Sequence, residues 1–330
     1  MGIEQKTKRN IIIKKKEYIR PLLIVLFISL VFLNKLTCLE QAEDTKSKFS
    51  LKLAAGWSYI AIGDINRCLE SFNNNQLFEG VRNNSAELIT GEITKLNNNL
   101  RDLEVELRMD IGSKISLSFV TSGPIIKKDE SSLTYIYRGE AGDQISQFTF
   151  KPDIWAWMPI KLGICYSIFY SSRINLIFNV GVGYHIAKVS QHRKMEQILP
   201  LGGIYSETCF WKACTIEGSS FQSGIEVEYN LKKDLAFIIE IQGRYANLRD
   251  LKGTMKIERN WGGDYIFNSD QKGTLYYFTM WDDAIGAPYA NLEVWEKAPE
   301  ADFRWINNVK KAVLDLSELS LRMGIRIKLF

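Results

Sequence analysis

The chain closes on "ELSLRMGIRIKLF", Glu318 to Phe330. Leu319, Leu321, Met323, Ile325, Ile327 and Leu329 take every second position, with Ser320, Arg322, Gly324, Arg326 and Lys328 between them. Such alternation puts the two sets on opposite faces of a strand. A soluble sandwich uses this pattern with the apolar face inward. A transmembrane barrel uses it inverted, the apolar face toward lipid and the polar face toward the lumen. One strand does not separate the two, so the rest of the chain must.

The opposite terminus points to export. Residues 1–20 carry Lys6, Lys8, Arg9, Lys14, Lys15, Lys16 and Arg20 against Glu4 and Glu17, and the apolar "PLLIVLFISLVFL" (21–33) follows. A basic region, a short apolar core and a polar exit describe a secretory signal peptide. A run of 13 residues is too short for a spanning helix, which needs about 20. Lys35-Leu36-Thr37 before Cys38 fits a lipidation box poorly, so cleavage near Cys38 is expected. The expected organisation is a signal peptide over 1–38, a short linker over 39–47 and a β-barrel over 48–330. Residues 1–38 hold eight Lys/Arg and two Glu, which leaves 34 Lys/Arg against 36 Asp/Glu beyond them. The formal +4 therefore belongs to the leader, and the remaining charge excludes a basic nucleic-acid surface.

Alternation returns in eight segments. "FSLKLAAGWSYIA" begins at Phe49, "DLEVELRMDI" runs over 102–111 and "KISLSFV" over 114–120. A long fourth segment ends at Tyr170, with Met158, Ile160, Leu162, Ile164, Tyr166 and Ile168 assigned to one side. "INLIFNVGVGYHIAKV", "FQSGIEVEYNL", "LAFIIEIQGRYANL" and the closing strand complete the set. Short links at Gly112-Ser113, Ser171–Arg173 and Lys232–Asp234 alternate with long ones at roughly 63–100, 126–145, 195–219 and 259–312. Greek-key links show no such order, whereas outer-membrane barrels have tight periplasmic turns and long external loops. Aromatics near segment ends (Trp57, Tyr59, Tyr166, Tyr170, Tyr184, Tyr245) suit interfacial girdles. A lipocalin-like soluble barrel is the alternative. The expected fold is all-β: an eight-stranded antiparallel up-and-down transmembrane β-barrel with long extracellular loops.

This layout resembles the small outer-membrane barrels of the outer membrane protein W and outer membrane protein X type, over about 46–330 and through the closing strand. The resemblance implies residence in the outer membrane and contact with its lipid. It also implies recognition by the barrel-assembly machinery through the strand ending at Phe330, and a monomer. Phe330 departs from the pattern, because it is out of phase with the odd-numbered apolar set.

An eight-stranded barrel is just wide enough to be filled by side chains. The inward parity carries Glu104, Glu106, Asp110, Glu226, Glu228, Glu240 and Glu318, facing Lys52, Arg108, Lys161, Arg244, Arg322, Arg326 and Lys328. Buried charges persist when paired, so a cross-linked polar plug is expected rather than an open pore. Cys209 and Cys214 ("CFWKAC") fall in the third long link, where a loop disulfide or two free thiols are the alternatives. His185 and His192, with Ser190 nearby, are the only histidines, and rim positions without chemistry are expected for them. No phosphate loop, zinc-protease motif or metal-ligand spacing appears, so no cofactor and no catalytic residue is assigned. The expected function is structural or surface-interacting. The alternatives are a narrow path for small hydrophobic molecules and, behind it, a lipid-modifying barrel enzyme.

Overall fold

The computed structural model describes residues 49–74, 86–139, 142–262, 265–282, 287–302 and 305–329. These belong to one unit, Ser47–Phe330. The expected leader, the linker over 39–47 and Phe330 lie outside the described residues.

The described residues are all-β and antiparallel apart from one α-helix and a short 3-10 turn. Strands β1 (Phe49–Ile60), β2 (Ala86–Glu92), β3 (Asn99–Asp110), β4 (Ile115–Ser122), β5 (Ile125–Lys128) and β6 (Ser131–Gly139) come first, with helix α1 (Asp64–Asn74) after β1. Three long strands follow: β7 (Gly142–Tyr170), β8 (Ile174–Ile198) and β9 (Ile204–Asn230). Then come β10 (Leu235–Tyr245), β11 (Asn247–Leu248), β12 (Lys252–Trp261), β13 (Tyr265–Asp282) and β14 (Ala287–Trp295). The chain finishes with β15 (Ile306–Lys311), β16 (Leu314–Asp315) and β17 (Glu318–Lys328).

The expected count of eight strands is therefore corrected: the described residues form seventeen, fifteen of them in a single sheet. Within that sheet the pairings return to their start through β1, β3, β4, β7, β8, β9, β10 and β17. The additional strands come from segments read as loops. β5 and β6 pair with the outer part of β7, β2 pairs with β6, and β12 to β15 continue from the outer part of β9. The supposed loop at 195–219 is mostly paired backbone, because β8 and β9 run on to a tight turn at 199–203.

β7, β8 and β9 have 29, 25 and 27 residues, against 8 to 12 in the other five strands of the ring. They reach past the ring and build a second half. We call the end holding the turns 111–114, 171–173 and 231–234 the near end, and the other the far end. Two irregularities mark the passage between halves. β7 shifts register between Trp157 and Ile160, and β9 gains residues between Thr215 and Gly218 opposite His185 and Ala187. An extra residue in a strand flips the faces of all that follow. Met158 is buried as a result, while Ile160, Leu162 and Ile164 are exposed, so Met158 does not share their face as expected.

The far half has an ordinary apolar core, including Phe150, Ile154, Val189, Trp211, Leu275, Leu292 and Leu314. α1 closes it. Ile65, Cys68, Leu69 and Phe72 are all buried, at the spacing that puts side chains on one face of a helix. The Phe72 ring lies 4.6 Å from Phe150 and 5.6 Å from Tyr289. Asp64 anchors the start of α1 to the far wall, accepting from the Val313 amide at 2.9 Å and the Lys310 ammonium at 2.8 Å.

Candidate functional site: a charged interior

In the near half the ring encloses charge. Lys52 is fully buried, and its ammonium has four carboxylates around it: Glu104 and Glu106 at 2.9 Å, Glu240 at 3.0 Å and Glu226 at 3.3 Å. Glu226 also accepts from Arg326 at 2.8 Å and from Arg108 at 3.0 Å. Arg326 reaches Glu106 at 3.1 Å, and Arg108 donates to the same carboxylate at 2.8 Å. Arg322 forms the upper node, pairing with Asp102, with Glu104 at 3.1 Å and with Glu318 at 3.0 Å. Arg244 pairs with Glu318, and Lys161 approaches Glu104 at 3.5 Å. Asn175 and Asn179 donate to Glu228 and Glu240 at 3.1 and 2.9 Å.

Strand register explains why these groups cross the interior. Lys52 lies directly opposite Arg326, and Glu240 directly opposite Glu226. Like charges opposed on one face repel. The offset comes from the neighbour on the other side, Glu106 opposite Lys52 and Arg322 opposite Glu240, and from across the ring, where Lys52 on β1 meets Glu226 on β9 and Glu240 on β10. Pairs such as Lys52–Glu226 and Lys52–Glu240 thus tie strands across the ring, while Lys52–Glu106 and Arg244–Glu318 join neighbours. Removing one partner of such a buried pair leaves an uncompensated charge, at roughly 3–5 kcal/mol.

Of the fourteen residues expected here, twelve are buried and have partners in the network: Lys52, Glu104, Glu106, Arg108, Lys161, Glu226, Glu228, Glu240, Arg244, Glu318, Arg322 and Arg326. Two are corrected. Asp110 is exposed at the end of β3, where it accepts from Ser116 at 2.6 Å. Lys328 is half-buried near the end of β17 and donates to Asn230 at 3.2 Å. Both sit at the near end, where the ring opens to solvent. Asp102 belongs to the network but was not among the fourteen. It shares the parity of Glu104 and Glu106, so the signal was present in the sequence.

The cysteine pairing is also corrected: Cys209 and Cys214 are free. They stand on one continuous strand, five residues and roughly 16 Å apart, with odd spacing that aims them at opposite faces. Cys209 is buried in the far core and Cys214 is exposed. His185 is not a rim residue. It is fully buried beside the β9 irregularity, and its Nε2 lies 2.9 Å from Ser220 Oγ, so Ser220 rather than Ser190 is its neighbour. His192 is half-buried, its ring 6.5 Å from Phe210.

The far half holds a smaller polar group that sequence reasoning missed. Arg193 donates to Asn291 at 2.9 Å and to Glu207 at 3.2 Å, and Arg259 reaches Glu207 at 2.8 Å. Burial pushes the Glu207 carboxyl up, but Arg193 and Arg259 outweigh it and hold the group below its usual range. Burial raises Glu293 despite Arg193. It also pushes the Cys68 thiol to about 12 and Cys209 to about 11, which leaves both thiols protonated and unreactive near neutrality. A cleft of about 1310 Å³ on the outer surface is lined by residues of mixed charge between Phe210 and Glu300.

No family model matches the chain, and no curated protein does. Among solved structures, the chain is similar to the outer membrane protease OmpT from Escherichia coli at 7% identity and a TM-score of 0.30. That alignment covers 88% of this chain and 99% of that one.

Proposed function

We propose that the ring spans an outer membrane as a closed eight-stranded β-barrel whose interior is a structural ion-pair core. One observation carries this reading: every strand of the ring turns apolar side chains outward at mid-height. Leu53, Leu103, Phe119, Ile164, Phe178, Ile225, Ile241 and Leu321, one from each strand in order, are 41–56% exposed. Soluble monomers rarely expose contiguous apolar patches beyond a few hundred Å², and this one runs all the way round. A belt outside and charges inside is the arrangement lipid requires of a strand-built span.

On this reading the protein is exported by its N-terminal segment and assembled through its closing strand. It resides in the outer membrane as a monomer, with the far half outside the cell. Its role is non-enzymatic, in envelope integrity or surface interaction, and its likeness to the outer membrane protein W and X barrels is part of the proposal. The ion pairs crossing from β1 to β9 and β10 support a filled barrel over a conducting one. The test is folding into lipid vesicles, followed by heat-modifiable gel mobility and single-channel recording. A compact band without steady conductance is expected. Failure to insert removes the membrane reading, and steady conductance replaces the filled core with a pore.

A further inference from the structure

The outer surface of the far half carries four lysines that form no ion pair among the described residues: Lys188, Lys212, Lys252 and Lys272. All four are exposed. Register brings them together from four consecutive strands. Lys188 on β8 faces Cys214 on β9, which faces Lys252 on β12. One rung further out, Lys212 on β9 faces Thr254 on β12, which faces Lys272 on β13. Neighbouring strands lie about 4.8 Å apart and alternate residues about 6.7 Å apart, so the four lysines fall within about 14 Å across the sheet and one rung along it. Of the carboxylates on this face, Glu258 is paired with Lys256 at 2.5 Å and Asp153 with Lys128 at 2.7 Å, while Asp270, Glu296 and Glu300 line the cleft beside Lys272.

Height gives the patch its meaning. On β8 the outward apolar series runs through Tyr184 to the half-buried Ile186, and Lys188 follows two residues later. Two residues span about 6.7 Å along a strand, or about 5 Å along the membrane normal at a tilt near 45°. Headgroups fill the 5–8 Å or so beyond each side of the hydrocarbon. The lysines therefore stand where the belt's lipid would present its phosphates. Lysines on neighbouring rungs of one face repel one another, and an anionic surface relieves that repulsion.

We infer that Lys188, Lys212, Lys252 and Lys272 form a binding surface for phosphate-bearing anionic headgroups of the leaflet surrounding the barrel's far end. This rests on the membrane-spanning reading above, and the experiment keeps the two apart. The full chain is folded into nanodiscs of equal phosphatidylcholine and phosphatidylglycerol, and retained lipid is counted by native mass spectrometry after gentle detergent extraction. Phosphatidylglycerol should be enriched about fivefold or more over phosphatidylcholine, and the enrichment should fall as salt rises. The variant with all four lysines changed to glutamine should retain both lipids equally, while the arginine variant keeps the preference. Equal retention by the unmodified protein, or enrichment that survives in the glutamine variant, overturns the inference. Insertion of that variant into pure phosphatidylcholine, read by heat-modifiable mobility, shows that it folds. If the unmodified protein enters neither bilayer, the membrane reading itself has failed.

Discussion

Below the strand irregularities, Lys52, Glu226 and Arg326 point into the ring and Ile225 points out; above them, Phe150 and Trp211 point in while Lys151 and Lys212 point out. The same three strands, β7, β8 and β9, build both halves. A single β-ribbon therefore serves two environments of opposite polarity, and extra residues near Trp157 and Thr215 help to make the exchange. The far half is stabilised as a soluble domain is, by burying apolar surface at about 25 cal/mol per Å². The near half cannot gain that way from its interior, because the groups there are charged. Its cohesion comes from completeness of pairing, which makes it sensitive to the loss of one partner.

Two substitutions of comparable size open the contrast. Lys52→Ala leaves four buried carboxylates without their shared cation and should cost about 3–5 kcal/mol. The exposed Lys297→Ala should stay within about 0.5 kcal/mol. Urea titration of the heat-modifiable band in vesicles measures both, and equal costs would break the idea of a pairing-dependent interior. Phe150→Ala removes a fully buried ring from the far core and should also cost about 3–5 kcal/mol. Its damage should stay above the irregularities. Limited proteolysis should cut the far half while the band shift of the ring survives. Simultaneous loss of both would show that the halves fold as one cooperative unit.

The near half was largely legible in the sequence, and the reason is local. β3, β10 and β17 run through the ring without irregularity, so simple parity placed Glu104, Glu240 and Arg322 on the inner face. Parity failed where a strand gained residues: it put Met158 outside, and it gave no hint that Cys209 faces inward. Connections were the larger miss. The 63–100 segment reads as polar and Asn-rich, yet Ile65, Cys68, Leu69 and Phe72 recur at helical spacing and seat α1 in the far core. Pairing of β12 to β15 onto β9 depends on partners far away in sequence, which no local pattern encodes. The ion-pair partners were likewise legible as a set of charges but not as pairs, since Lys52 and Glu240 stand 188 residues apart.

A smaller effect tests where lipid ends. Ile225 and Phe210 both lie on β9 and are 50% and 43% exposed, one below the irregularity and one above it. Exposure alone does not distinguish them. Ile225→Arg should cost about 2–4 kcal/mol in a bilayer, the depth-dependent value for a charge placed among acyl chains. Phe210→Arg faces water and should be nearly neutral. Folding both variants in vesicles of one lipid gives the difference directly. Similar costs would move the boundary of the membrane upward, over the lysine patch.

The smallest effect belongs to the polar group of the far half, where two carboxylates respond to acid in opposite directions. Burial raises Glu293 above the usual carboxylate range against the pull of Arg193. The folded form therefore holds its proton more tightly than the unfolded chain, and its contribution is present at low pH and lost as pH rises through the raised value. Glu207 is the reverse. Burial opposes ionisation, yet Arg193 and Arg259 keep its value depressed. Its contribution is present above the ordinary carboxylate value and lost as pH falls through the depressed one. On acidification from neutrality the far half should first gain stability as Glu293 takes up a proton, then lose it as Glu207 does. Proteolytic resistance of the far half, followed from about pH 8 to about pH 3, should pass through a maximum in the mildly acidic range. Glu293→Gln should flatten the rise by fixing the uncharged form, and Glu207→Gln should flatten the fall while lowering resistance at neutral pH. No hydrogen bond or ion pair among the described residues links Glu293 or Glu207 to the ion-pair core of the near half, so the band shift of the ring should not follow either change. A ring that tracked them would join the two halves electrostatically and erase the distinction between them.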